Sequence, residues 1–180
     1  MPTILTHAIV PLAAAVAAGP RRLPPRLVAA GMIASMLPDA DVLAFAIGIP
    51  YADAFGHRGA SHSLLFATVV ASLGALLHRR LHAGALRTWF WLFTCAASHP
   101  LLDAFTDGGL GVALLWPWSD TRMFAPWRPI EVSPIGVGFF GRRGLEVLLS
   151  EARWIWLPMA ALAALGYTVR RTAAALSSQR

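Results

Sequence analysis

The chain has 180 residues, 57% of them hydrophobic and only 13% charged, and its mean hydropathy is positive. A soluble domain of this length carries about 25% charged residues, so the deficit points to a bilayer. The net charge of +6 comes from 15 basic residues, all arginine; their clumping suits membrane orientation and argues against a nucleic-acid partner. Without lysine there is no Schiff-base chemistry, and the single Cys95 excludes an internal disulfide or a thiolate zinc cluster.

Apolar segments run over 4–19, 27–49, 62–78, 88–105 and 153–169, against the roughly 20 residues that a helical span needs. The first resembles a signal peptide, but it lacks a basic leader and is followed by Arg21 and Arg22. That polarity reads as a retained first helix carrying His7. The second is interrupted by Pro38, Asp39 and Asp41, which predicts a helix ending near Pro38 and a shallow or re-entrant piece through Ile49. The remaining three read as clean spans. The expected fold is all-α: one integral-membrane domain over 1–180, a polytopic bundle of five apolar helices, four or five of them spanning.

Arg21, Arg22 and Arg26 flank the first connection, Arg79, Arg80 and Arg87 the third, and Arg170, Arg171 and Arg180 end the chain. Positive residues favour the cytoplasmic side, which places the 50–61 and 106–152 connections outside. The latter also holds Arg122, Arg128, Arg142 and Arg143, with Trp116, Trp118, Trp127, Phe139 and Phe140. This mixture suits a segment lying at the headgroups or a lid.

Ionisable groups within apolar helices are costly and mark function. At about 1.5 Å per helical residue, His7 lies roughly 21 Å from Arg21, Asp39 roughly 20 Å from Arg26, and His62 roughly 25 Å from Arg79. His99 and Asp103 lie roughly 18 and 24 Å from Arg87 by the same measure. All five share one slab near the outer boundary of an inner (cytoplasmic) membrane.

His99 and Asp103, four apart, share one helix face, although Pro100 predicts a helix start or kink between them. Asp39 and Asp41, two apart in an extended segment, point the same way. In His57-Arg58-Gly59-Ala60-Ser61-His62-Ser63, Gly59 permits a tight turn that lets both histidines reach one ion. Ser61 is the expected N-cap of the next helix, and the fork of Arg58 suits a phosphate or carboxylate. Thr106 reads as a residue supporting the ligands or capping a helix. His78 and His82, among arginines at the opposite edge, read as solvated. Asp53, Asp107, Asp120, Glu131, Glu146 and Glu151 lie in connections and read as solvated too.

Imidazole and carboxylate ligands without thiolate suit zinc, manganese or iron. The donor set exceeds what one zinc needs, so two ions bridged by Asp103 or Asp39 are an alternative to one. Such a centre brings the pKa of bound water to about 7, and Arg58 would face charge developing on a phosphoryl group.

Thr6-His7, Leu37-Pro38-Asp39-Ala40-Asp41, His57 through Ser63, His99 through Gly109 and Leu115 through Asp120 resemble the LexA-regulated, membrane-bound metal-dependent hydrolase family over roughly residues 3–130. The order of His and Asp is also similar to zinc-dependent phospholipase C. By that resemblance His7, Asp39, His57 or His62, His99 and Asp103 are metal ligands, and Asp41 is a base or extra ligand. The implied activity is metal-dependent hydrolysis of an ester or phosphoester at the membrane surface, with lipid as a candidate substrate. Two other classes fit the same residues: a metal-ion or proton transporter, and a non-catalytic membrane protein held together by its polar cluster.

Overall fold

The computed structural model describes residues 1–178; Gln179 and Arg180, the last of the clustered arginines, lie outside the described residues. Helix α1 spans Ile4–Ala18, α2 Pro25–Met36, α3 Leu64–Leu76, α4 Ala85–Ala104, α5 Arg142–Glu151 and α6 Leu157–Ser177. Helix α2 runs directly into a 3₁₀ helix, Leu37–Ile47, and α5 runs into α6 through one π-helical stretch, Ala152–Trp156. The described residues therefore form five continuous helical rods, in the same order as the five apolar segments.

The rods pack in a row: α3 on α4, α4 on α2, α2 on α1, and α1 on α6. Small residues bring them close, as in membrane helix pairs. Ala34, Ala67, Ala71, Cys95, Ala96 and Ala97 form the buried core with Leu92. Gly31 illustrates the requirement, because a Cβ there would lie 2.3 Å from the indole nitrogen of Trp91, which itself donates to the Leu27 carbonyl.

Large apolar side chains point outward instead: Leu73, Leu76, Leu86, Phe90, Leu157, Leu162, Leu165 and Val169 are all exposed. Polar residues such as His7, Arg58, His62, His99 and Asp103 are fully buried. This inversion of the soluble pattern is what a hydrocarbon solvent favours. Two segments, Pro25–Ile47 and Arg142–Ser177, are long and apolar enough to cross a bilayer, and only 33% and 17% of their apolar stretches are buried. Core helices of a soluble protein would be mostly buried. Helices α1 and α3 have 15 and 13 residues, short of the roughly 20 that a straight crossing takes.

The α-helix of the second rod ends at Met36, just before Pro38 as predicted, although the rod itself is not broken there and continues as a 3₁₀ helix. Pro100 neither starts nor breaks a helix, since α4 continues through it to Ala104. The 106–152 connection is more than a surface strap. Two isolated bridges tie Thr106 to Ile130 and Val112 to Met123. The Arg122 guanidinium donates to the carbonyls of His57 and Asp53, both at 2.9 Å. This connection closes over the end of the bundle where α1 begins and α4 finishes.

Candidate metal centre

Four elements converge at that end. Helix α1 brings His7 in its first turn, the 3₁₀ helix after α2 brings Asp39 and Asp41, the turn before α3 brings His57 and His62, and the last two turns of α4 bring His99 and Asp103. The helical spacing of His99 and Asp103 does what the sequence predicts, putting Nε2 of His99 3.9 Å from Oδ2 of Asp103.

Asp39 and Asp41 reach the cluster from a tight helix rather than an extended strand. Asp39 Oδ1 lies 3.3 Å from Nε2 of His99 and 3.9 Å from Nε2 of His62. Asp41 turns to the other side, where its carboxylate meets His57 Nδ1 at 2.6 Å and His62 Nδ1 at 3.2 Å. It also accepts from the Ser61 hydroxyl at 2.5 Å and the Arg58 N–H at 3.2 Å. Both carboxylate oxygens are engaged, Oδ1 by His57 and Oδ2 by His62, Ser61 and the Arg58 N–H, so Asp41 is placed to orient the two imidazoles.

The inner shell shows the opposite state. His99 donates Nδ1–H to the Ser35 carbonyl at 2.7 Å, so its Nε2 lone pair faces inward. His62 directs Nδ1 at Asp41, and its Nε2 lies 3.1 Å from Nε2 of His99 and 3.3 Å from Oδ2 of Asp103. Two imidazoles facing each other lone pair to lone pair would repel, so this approach suits either a shared proton or a metal ion held by both. His7 stacks on His99 with ring centroids 3.6 Å apart, its Nε2 3.6 Å from Oδ1 of Asp103.

Both nitrogens of His7 and both carboxylate oxygens of Asp39 and Asp103 are buried with no hydrogen-bond partner. Unpaired buried charge is costly by several kcal/mol per group. Within the cluster, three carboxylates against the one Arg58 guanidinium leave two negative charges when the imidazoles are neutral, which is the deficit a divalent cation fills. His7, His99 and Asp103 form one set with ligand atoms within 4.8 Å of one another, and Asp39, His57 and His62 form a second. Burial pushes the His62 imidazole down, but Asp103 and Asp41 outweigh it and bring the group up to about 9. The same carboxylates thus attract a proton when no larger cation is present.

Arg58 departs from its expected role. The side chain is completely buried: Nε lies 3.2 Å from Asp103 Oδ2, Nη2 donates to Thr106 Oγ1 at 2.8 Å, and Nη1 donates to the Gly108 carbonyl at 2.9 Å. The guanidinium braces Asp103 from behind and is not free for a substrate phosphate. Its backbone takes φ +65°, a left-handed turn that directs the side chain inward while Asp41 holds its N–H. Gly109, at φ +88°, allows the close approach, because a Cβ there would lie 2.7 Å from Arg58 Nη1 and 2.9 Å from the Tyr51 hydroxyl. Burial raises the pKa of that phenol.

Thr106 supports the cluster as expected, donating to the Asp103 carbonyl at 2.7 Å. Ser61 supports it by a different route, through Asp41. The N-cap of α3 is Ser63, whose hydroxyl accepts from Phe66 N–H at 3.0 Å; His62 therefore sits before the helix, in a 3₁₀ turn. At the far end, His82 is exposed and contacts Arg26 at 3.3 Å, apart from the cluster.

Glu151 corrects the reading of a solvated connection residue, since it is fully buried. Its carboxylate accepts from the Thr3 hydroxyl at 2.7 Å, the Thr6 hydroxyl at 2.6 Å and the Thr3 N–H. Trp156 Nε1 donates to Thr6 at 2.8 Å. This clamp joins the π-helical stretch before α6 to the start of α1, one residue from His7. The only sequence signal was the Thr3/Thr6 pair on one helix face, with no indication of its partner.

Residues 1–175 match the profile of the YdjM inner membrane protein family. The inner membrane protein YbcI of Escherichia coli (strain K12) is 50% identical over 160 residues, 88% of this chain and 92% of that protein. No solved structure matches.

Proposed function

We propose, for a chain that belongs to the YdjM inner membrane protein family, that its buried His/Asp cluster holds one or two divalent metal ions and hydrolyses an ester or phosphoester at the membrane surface. One observation carries the reading: the Nε2 atoms of His62 and His99 face each other at 3.1 Å beside the buried carboxylates of Asp39 and Asp103, whose oxygens accept no hydrogen bond although Arg58 lies against Asp103. His7, Asp39, His62, His99 and Asp103 are the holding set, with His57 completing a second position. All are nitrogen and oxygen donors, which suits zinc and admits manganese or iron.

A bound metal of this kind supplies a hydroxide near neutral pH and polarises the ester oxygen. The chain's own residues do the positioning. Asp41 keeps Nδ1 of His57 and His62 as donors, so Nε2 of each is left to bind. Ser35 does the same for His99, and Arg58 neutralises part of the Asp103 charge. The resemblance to metal-dependent membrane hydrolases and zinc-dependent phospholipase C supports this assignment. So does the core beneath the cluster, where Ala34, Ala67, Ala71, Leu92 and Ala96 close the interior and offer no polar path for an ion. A multi-pass arrangement with the site toward the outer face fits the arginine-rich connections at the opposite end.

Elemental analysis of detergent-purified protein tests the reading, together with phosphodiester hydrolysis by the same preparation. Wild type is expected to carry stoichiometric metal, and His99→Ala and Asp103→Ala to lose both metal and turnover. Metal-free wild type that stays metal-free after incubation with zinc, manganese or iron overturns it.

A further inference from the structure

We infer that the apolar groove beside Asp39 seats one acyl chain of a membrane lipid, so that the substrate enters from the bilayer with its ester linkage against the cluster. The inference rests on the hydrolytic reading for the reaction, but its geometry is separate. A cavity of about 520 Å³ lies between the first turn of α1, the 3₁₀ helix and the 106–152 connection, and Asp39 forms part of its wall. That volume falls within the range of ligand pockets, about 300–1,000 Å³.

Ile4, Val42, Phe139, Phe140, Leu148 and Trp156 are among the large apolar side chains that line the rest. Its polar side chains are few and largely engaged: Thr3 is bonded to Glu151, and Ser133 donates to the Pro134 carbonyl at 3.3 Å. No arginine lines the groove, and Arg58 is spent on Asp103 and Thr106. A water-soluble phosphate ester would therefore meet no arginine fork there and, apart from the Met1 amino group, little but the Asp39 carboxylate and engaged hydroxyls, whereas a hydrocarbon chain meets mostly apolar walls. The rim points the same way. Leu5, Ile135 and Phe140 line the groove and are 70%, 49% and 88% exposed, which makes it continuous with the outward-facing apolar surface of the bundle. A chain entering from the bilayer leaves one apolar medium for another, and its polar end stops at the carboxylate of Asp39.

The test uses full-length protein in phosphatidylethanolamine vesicles containing phosphatidylglycerol with a diazirine in its acyl chain. After photolysis, peptide mass spectrometry is expected to place the adduct on Ile4, Val42, Phe139 or Phe140. Leu148→Trp, which fills the groove, is expected to cut that labelling at least fivefold with metal content unchanged. Labelling spread evenly over outward residues such as Leu162 and Leu165, with no excess in the groove, overturns the inference. So does groove labelling that Leu148→Trp and the independent filling variant Ile135→Trp both leave unchanged. Groove-specific labelling of protein that binds no metal would remove the hydrolytic reading and keep the lipid seat. Metal binding with turnover of soluble diesters and no groove labelling would do the reverse.

Discussion

The guanidinium of Arg58 and the carboxylate of Asp103 meet at 3.2 Å with both side chains wholly buried. Removing one partner of such a pair strands the other charge, at a cost of about 3–5 kcal/mol. Arg58→Ala is expected to destabilise by that order. Arg58→Lys keeps the charge but cannot satisfy Asp103, Thr106 and Gly108 together, so it recovers only part of the loss. Denaturant unfolding in detergent measures this. Unchanged stability with weaker substrate binding alone would return Arg58 to the role of a phosphate-binding residue.

In the proposed metal site Asp41 would act through His57 and His62, whose rings it holds. Residues that orient ligand imidazoles typically change metal affinity about 10–100-fold. Asp41→Asn is expected to fall in that range, since an amide can donate where the carboxylate only accepts, and so loosens both rings. Ser61→Ala removes one of Asp41's donors and should cost less. Competition against a chromophoric chelator gives both numbers, and equal affinities for all three proteins would remove Asp41 from the binding apparatus.

The parts of this centre legible in the sequence are those fixed by short-range rules. Hydrophobic runs locate the first four rods within a few residues of their ends and only the middle of the fifth, Arg142–Ser177, and the i, i+4 spacing of His99 and Asp103 gives one shared face. The common distance of His7, Asp39, His62 and His99 from arginine clusters anticipated that they would meet. What sequence could not show depends on where distant backbone goes. Arg58 was read as substrate-facing because nothing near it reveals that Thr106 and Gly108 arrive to engage its fork. Ser61 and Ser63 are both good caps, and only the 3₁₀ turn at Ala60–His62 decides between them. Pro38 does mark the end of regular α-helix at Met36, whereas Pro100, which suggests a helix start or kink, lies inside α4, because a proline's effect depends on whether packing carries the helix past the lost hydrogen bond. For α3, which hydropathy reads as a clean span, the regular helix stops at Leu76, before the Arg79–Arg80 pair.

Metal removal should destabilise the protein through the same charges. A ligand that binds only the folded state at 1,000 times its Kd contributes about 4.1 kcal/mol. Chelation is therefore expected to lower the Tm by several degrees, and re-addition of zinc to restore it. Asp39→Ala and Asp103→Asn should respond weakly or not at all. A wild-type Tm insensitive to both treatments would mean that the cluster holds its charges without a metal.

The Glu151 clamp separates a positioning role from a merely structural one. Glu151→Ala leaves the buried hydroxyls of Thr3 and Thr6 without their acceptor, at about 1–3 kcal/mol for an unsatisfied group. Replacing all three by apolar residues of similar shape, with Thr3→Val, Thr6→Val and Glu151→Leu, removes the hydroxyl donors along with the carboxylate but leaves the Thr3 N–H and Trp156 Nε1–H unpaired, so it should restore part of that stability. Metal affinity should not follow. His7 adjoins Thr6, and its placement on His99 depends on the fixed start of α1, so the triple variant is expected to bind metal more weakly than wild type even when it unfolds at a similar denaturant concentration. If affinity instead recovers in step with stability, Glu151 fastens α1 to the π-helical stretch before α6 and has no further influence on the site.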